Sequence, residues 1–326
     1  MTSIYDFYSQ LLNTYNFLNL PNPEYQVKLV NGDYAISYTF PESQSQLLSY
    51  GYTESGDDRY IYFRPITEVQ EDAINIILNS NLGMVNSFQN VSNINFVNMD
   101  DQADIVFIQN DISSGIFSGT GLSSIAKTVE DLFDESDSSQ QWYGDIVLNE
   151  DHNLGLTWSS IEPSSLGYMS LMHEIGHSLG LGHTSDAYKG DNAYLDNQKY
   201  SIMSYNEFDE MVFLPSIEIY PHTLQLLDIA AIQSVYGRNY ETRSDDAVYT
   251  VSNMSWSLDT DKPFLYTIWD GGGNDTIDAS ESSASAEIDL RQGRFSSIGY
   301  EATSLFGLNE INKDTDWSTP IIESRI

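Results

Sequence analysis

The run His173-Glu174-Ile175-Gly176-His177-Ser178-Leu179-Gly180-Leu181-Gly182-His183 constrains this chain more than any other stretch, because it prescribes both a helix and the way that helix must end. Residues four apart share a helical face, so His173 and His177 aim two imidazoles at one point. Glu174 stands beside the first of them and is left free to act as a base. A zinc ion with three protein ligands and one open position needs a further donor, and a straight helix would carry later side chains away. Gly180 offers the way out, since glycine tolerates positive φ and commonly ends helices in a left-handed turn. The chain then doubles back and delivers His183 to the same ion. The plain alternative is three histidines on a surface helix, but the pattern fixes five residues at once. The chain has five histidines, and the two outside this run, His152 and His222, are expected in ordinary surface or loop roles.

Twenty residues beyond His183 lies Met203, within Tyr200-Ser201-Ile202-Met203-Ser204-Tyr205. A methionine turn downstream of the third histidine completes the metzincin pattern, and a polarizable, apolar side chain suits a floor beneath the ligands. With S-I-M-S-Y at this distance, the sequence resembles the serralysins, a family of secreted bacterial metzincin zinc endopeptidases of the RTX type. The resemblance implies that Tyr205 ligates zinc in the resting enzyme, then swings away and stabilises the tetrahedral intermediate. It also implies an α+β protease domain, with a mixed twisted sheet, a zinc helix and a Met-turn. A small all-β calcium-binding segment related to a β-roll is expected to follow.

Charge and composition narrow the partners. The formal net charge is −35, which disfavours nucleic acid and anionic membrane, both of which want Lys and Arg. With 40% hydrophobic and 13% aromatic residues the chain is nonetheless globular. Cysteine is absent, so there are no disulfides and no thiolate to cap a metal. No apolar run approaches a membrane span, and the first 20 residues lack a basic and then apolar signal-peptide pattern. The resemblance implies instead an extracellular protein exported through a type I system. A monomer acting on protein and peptide substrates is expected.

Along the chain, Tyr5, Tyr8, Leu11, Leu12 and Tyr15 recur at helical spacing, and residues 1–22 are expected to be an N-terminal helix or propeptide. Residues 23–238 form the expected catalytic domain. Strands are expected at 33–40, 59–63, 94–97, 103–108 and 144–149. Thr67 and Gln70 are expected to form a capping box for a helix whose apolar stripe is Val69, Ala73, Ile76, Ile77 and, if the helix runs that far, Met84. Residues 111–142 read as loops. The resemblance implies an edge strand among them that pairs with extended substrate. Residues 184–199 read as a polar loop. Glu207, Asp209 and Glu210 either select basic side chains or are a solvated loop. A helix over 223–235 is expected to end at Gly237, with Leu224, Leu227, Ala231 and Val235 on one face.

Beyond Asn239 the texture becomes short and turn-rich. Residues 239–326 are read as a partial β domain with one RTX-like repeat, Asp270-Gly271-Gly272-Gly273-Asn274-Asp275-Thr276-Ile277-Asp278. A glycine turn between strands is the alternative. The resemblance implies that Asp270, Gly272 and Asp275 bind calcium, with backbone help from Arg243 and Asp245. Tandem copies expected of the family are missing before Ile326, so the calcium domain reads as shortened or truncated.

The expected chemistry is hydrolysis of peptide bonds in extended substrates. His173, His177, His183 and resting Tyr205 hold zinc, Glu174 is the general base, and Met203 and Gly180 are structural. The rival reading is a weakly catalytic or inactive, calcium-dependent module for binding or adhesion on the same fold.

Overall fold

The structure, a computed structural model of the 326-residue chain, describes residues 28–30, 33–52, 63–80, 84–101, 103–110, 122–124, 145–149, 161–207, 220–255, 264–282, 286–291, 294–298 and 319–323. The whole of the expected N-terminal segment (residues 1–22), the acidic residues Asp209 and Glu210, and His152 lie outside these residues.

Seven strands form the first sheet: β1 (Lys28–Val30), β2 (Asp33–Thr39), β3 (Phe63–Arg64), β4 (Ile94–Asn98), β5 (Ile105–Asn110), β6 (Leu122–Ser124) and β7 (Ile146–Asn149). Its path is β1-β2-β5-β7-β6, with β4 also on β2 and β3 also on β5. The β2–β4, β2–β5 and β5–β7 pairings are parallel, whereas β1, β3 and β6 pair antiparallel. A mixed sheet is therefore present as expected. Among the described residues, β6 ends this path, paired Leu122 to Leu148 and Ser124 to Ile146. Its place within the segment read as loops reflects a short, serine-rich strand that carries little apolar alternation.

The helices of this part are α1 (Gln44–Ser49), α2 (Glu68–Asn79), α3 (Phe88–Val91), α4 (Leu166–Ser178), α5 (Thr184–Ala187) and α6 (Leu226–Tyr236). The capping box of α2 is present: Thr67 Oγ1 accepts from Gln70 N, and Gln70 Oε1 accepts from Thr67 N at 2.7 Å. Its buried stripe is Gln70, Ala73, Ile74, Ile77 and Leu78, while Val69 is exposed and Met84 lies past the helix end. Tucking the capping glutamine inward sets this face, one residue on from the stripe the apolar spacing gives. Residues 184–199 are also less loop-like than their polarity implies, since α5 and a 3-10 helix over Gly190–Leu195 fall there. α6 is buried all round, not on one face: Leu226, Leu227, Ile229, Ala231 and Ile232 all lie in the main core with Phe107, Leu148, Ile175 and Met203. Gly237 ends it with φ of 80°.

The C-terminal part holds α7 (Val251–Ser255) and strands β8 (Val248–Thr250), β9 (Ile268–Trp269), β10 (Thr276–Asp278), β11 (Ala286–Glu287), β12 (Arg294–Ile298) and β13 (Thr319–Glu323). β8 and β10 pair in parallel, and β9 and β11–β13 form a second sheet. This part shares the main core through fully buried Trp269. Asn86 and Tyr266 add hydrogen bonds across the seam, to Thr267 O and Met84 O respectively.

Candidate active site

α4 is positioned at both ends. Ser165 caps its start, its Oγ accepting from Tyr168 N at 3.1 Å. At its other end Gly180 has φ of 100°. Leu181 N donates to Gly176 O and Gly180 N to His177 O, both at 2.9 Å. These two bonds are the Schellman closure of a helix, and they turn the chain back so that His183 returns to the face bearing His173 and His177. Ile175, Leu171 and Met172 anchor the helix in the core, and His173 is only 5% exposed.

The three histidines converge as the sequence requires. Their candidate ligand atoms all lie within 4.8 Å of one another, and the Nε2 atoms of His177 and His183 are 3.0 Å apart. Zinc–nitrogen bonds of about 2.0–2.1 Å in a tetrahedron place ligand nitrogens roughly 3.3 Å apart, so the donor set fits that ion. Backbone carbonyls fix two tautomers. His173 Nδ1 faces Ile202 O at 2.9 Å, and His177 Nδ1 faces Leu181 O at 2.7 Å. A carbonyl only accepts, so both Nδ1 atoms carry the proton and both Nε2 lone pairs are free. Burial, reinforced by the neighbouring imidazoles, holds His177 well below its ordinary pKa, and burial also lowers His183. Both therefore favour the neutral form that a metal needs. His183 has a looser support, an exposed Asp186 carboxylate at 3.8 Å from Nδ1.

Glu174 is buried on α4 beside the first ligand. Tyr205, 68% exposed, brings its hydroxyl to 2.8 Å from His183 Nε2, with its ring 4.8 Å from that imidazole. Met203 is fully buried beneath, its Sδ only 2.9 Å from where a Cβ on Gly176 would sit. The structure thus brings together His173, His177, His183, Tyr205, Met203 and Gly180.

Two carboxylates that the motif reading missed hold this arrangement. Asp196 Oδ1 accepts from Thr184 Oγ1 at 2.5 Å and Ser204 Oγ at 2.8 Å, and Oδ2 accepts from Asn206 Nδ2 at 2.8 Å. It so ties the residue after His183 to both neighbours of Tyr205. Asp228, fully buried in α6, accepts from Ser201 Oγ at 2.5 Å, Ile202 N at 2.9 Å and Gln225 N at 2.8 Å. Burial pushes its carboxyl up to about 7, against the pull of these three donors. A lone aspartate in the apolar run Leu226-Leu227-Asp228-Ile229-Ala230-Ala231 was a usable signal, because buried carboxylates are rare unless partnered. Asp196 sits in a polar loop and gave none.

His222 lies in a loop, one of its two expected roles, but it is not on the surface. It is 1% exposed, its Nδ1 is 3.2 Å from Ser164 Oγ, and its backbone N donates to Leu265 O at 2.8 Å. It stacks near Phe264 and Tyr266, and burial lowers its pKa to about 3. Apolar residues brought from 264–266 cover it, which local sequence does not show.

The glycine-rich loop is built from close backbone approach. A Cβ on Gly271 would lie 2.3 Å from Tyr240 O, and one on Gly273 2.7 Å from Asp245 O. Gly272 N donates to the buried Asp270 carboxylate at 2.9 Å, which Tyr249 OH also reaches. Asp275 Oδ1 accepts from Ala247 N at 3.0 Å, while its Oδ2 is buried without a hydrogen-bond partner. A buried carboxylate oxygen left without a hydrogen-bond partner suits a hard cation. Arg243, at φ of 51°, lies in the turn facing this loop, and its guanidinium donates to Trp269 O, Val85 O and Asn86 Oδ1. Asp245 offers its carbonyl to this cradle and is otherwise exposed.

Comparison with known proteins agrees with both parts. Residues 66–184 match the family model for metallo-peptidase family M12B, reprolysin-like, and residues 238–305 match that for the peptidase M10 serralysin C terminal. The chain is 30% identical over 303 residues to a serralysin of Photorhabdus laumondii, covering 86% of this chain and 58% of that protein. It is 35% identical over 176 residues to a serralysin of Proteus mirabilis, covering 50% and 34%. It is 38% identical over 149 residues to serralysin G of Dickeya chrysanthemi, covering 42% and 31%. The zinc-signature helix, the methionine turn and the glycine-rich C-terminal loop thus stand in one chain that is similar to the Photorhabdus serralysin over 86% of its own length and spans less than two thirds of that protein.

Proposed function

We propose that this chain is a secreted zinc-dependent endopeptidase that hydrolyses extended protein substrates. The convergence of His173, His177 and His183 behind Schellman-closed α4, with two Nδ1 atoms tied to carbonyls, carries this reading. His173, His177 and His183 would hold the zinc, with Tyr205 as a resting ligand. Zinc in that position supplies a Lewis acid that acidifies water and polarises a carbonyl. Glu174 takes the proton of the attacking water and later gives it to the leaving amine. Tyr205, exposed and reaching the same point, swings aside and donates its hydroxyl to the oxyanion, a role typically worth about 3 kcal/mol. An extended substrate adds antiparallel to edge strand β6, its main chain supplying most of the hydrogen bonds.

Calcium belongs to the same reading. Asp270, Asp275, the Gly272 backbone and the carbonyls of Arg243 and Asp245 would form its site; the orphaned Asp275 oxygen and the approach of Asp245 O to Gly273 support it. We divide the chain at residue 238, with catalysis before it, the calcium segment after it, and residues 1–22 as an N-terminal helix or propeptide. Membrane association plays no part in this reading, and no described helix is long and apolar enough to cross a membrane.

Casein hydrolysis with calcium in constant excess tests the proposal. Activity should vanish on zinc chelation and return with added zinc. Zinc-replete, folded chain that leaves casein intact would sink the endopeptidase reading and favour the binding-module alternative.

A further inference from the structure

We propose that Asp228 is a positioning residue for His173: acting through Ser201 and the Ile202–Met203 peptide, it holds the first metal-binding imidazole in its Nδ1–H tautomer and aims its Nε2. The inference rests on the metal-centre reading and adds an acidic residue from a different helix to it.

A continuous line of hydrogen bonds supports this. Ser201 Oγ donates to Asp228 Oδ1 at 2.5 Å. The same Oγ accepts from Met203 N at 3.0 Å. That N–H and the Ile202 carbonyl belong to one peptide group, and Ile202 O faces His173 Nδ1 at 2.9 Å. Each donor in the line therefore polarises the next toward the carboxylate, and hydrogen bonds in series reinforce one another where dielectric is low. Asp228, Ser201, Ile202 and Met203 are all essentially inaccessible to water, and His173 is nearly so. Metal-bound imidazoles commonly donate their second N–H to a carboxylate or a carbonyl. Here the carbonyl is the immediate acceptor and the carboxylate stands two links behind it.

Helix capping alone does not account for Asp228. Its Oδ2 does accept from Gln225 N as an ordinary capping box would. Its other bonds go to Ser201 and Ile202, outside the helix. Leu227 N donates to Tyr200 O at 2.9 Å, so the start of α6 and the turn carrying Met203 are joined at several points. By contrast the His177 Nδ1 acceptor, Leu181 O, belongs to the helix closure and lies outside this line. That gives an internal control within one protein.

Ser201→Ala is the decisive variant, because it removes the middle link while leaving Asp228 its two backbone donors. Asp228→Asn is the harsher companion. Both are made in the full chain with calcium present. Zinc affinity is measured by competition with a chromophoric chelator, and histidine tautomers by 15N-edited NMR. Ser201→Ala should weaken zinc binding about 10–100-fold. It should also shift the His173 Nδ1 proton or quicken its exchange, while the His177 Nδ1 proton stays in place. A folded Ser201→Ala chain that binds zinc within twofold of wild type, with both protons unmoved, overturns the proposal while leaving the metal centre standing. Equal disturbance of both histidines would also overturn it, because that is the mark of general loosening. Should Asp228→Asn fail to fold, the Ser201→Ala result decides alone. Wild-type chain that takes up no zinc removes the metal centre and this proposal together.

Discussion

The histidine centre and the glycine-rich loop are two candidate ion sites made in opposite ways. At the first, side chains supply the donors and the backbone supports them, through Ile202 O and Leu181 O behind His173 and His177. At the second, the backbone crowds in to build the cradle, and two aspartates complete it. The first is seated in the main core on α4 and braced by α6. The second hangs on the approach of two segments, one near residue 243 and one near residue 272. The difference teaches where tolerance lies: the histidine centre should fail by single side-chain changes, and the loop by loss of backbone closeness or of its cation.

The largest effect expected from this contrast is at Glu174. Glu174→Gln should lower casein turnover roughly 10²–10⁴-fold while zinc content and melting temperature stay at wild-type values. Turnover within tenfold of wild type would take the base role away from it. Tyr205→Phe comes next, with kcat down by about 10²–10³-fold and KM little changed; an unchanged kcat would remove the hydroxyl from the mechanism. The loop is probed by Asp275→Asn. Wild type should gain about 2.7 kcal/mol when calcium is 100-fold above its dissociation constant, and the variant should gain far less. Its initial rate at saturating calcium should remain near wild type. Calcium shifts of equal size in the two proteins would show that Asp275 is no ligand.

The smallest expected effect lies at the seam between the two regions, on His222. Its folded pKa is lowered to about 3 from an ordinary 6.5. Between those values the unfolded chain binds a proton that the folded chain does not. The stability from its burial is thus present above pH 6.5 and is lost as pH falls toward 3. By about pH 5 the loss should reach roughly 2 kcal/mol. His222→Gln should flatten that acid limb in urea unfolding at pH 7.5 and 5. An acid limb as steep as wild type would assign it to the carboxylates instead.

What the sequence disclosed follows the same division. His173, Glu174, His177, Gly180 and His183 were legible because helix geometry ties spacing to direction. The parallel strands near 94–98 and 105–110 and the capping box at Thr67 were legible for similar local reasons. Asp196 was not, because its partners lie 8 to 12 residues away and are chosen by packing, and for Asp228 the apolar run signals a buried carboxylate but not its partners Ser201 and Ile202, 27 and 26 residues away. The burial of the His222 loop was not legible for the same cause: its cover arrives from Phe264 and Tyr266. The glycine-rich cradle was half legible, since the glycine pattern shows in sequence but the Tyr240 and Asp245 carbonyls that require it do not.

Gly176 gives the zinc signature a further meaning. It fills a position the motif leaves open, yet Met203 Sδ occupies the space a methyl group would need, with Leu181 Cδ1 3.3 Å away. The two halves of the signature therefore share one volume. Bulk added on the helix has to be surrendered by the turn, so the two positions are expected to evolve as a pair. A library that varies position 176 while holding Met203 fixed would sample mostly jammed molecules, whereas one that trades size between them explores real alternatives.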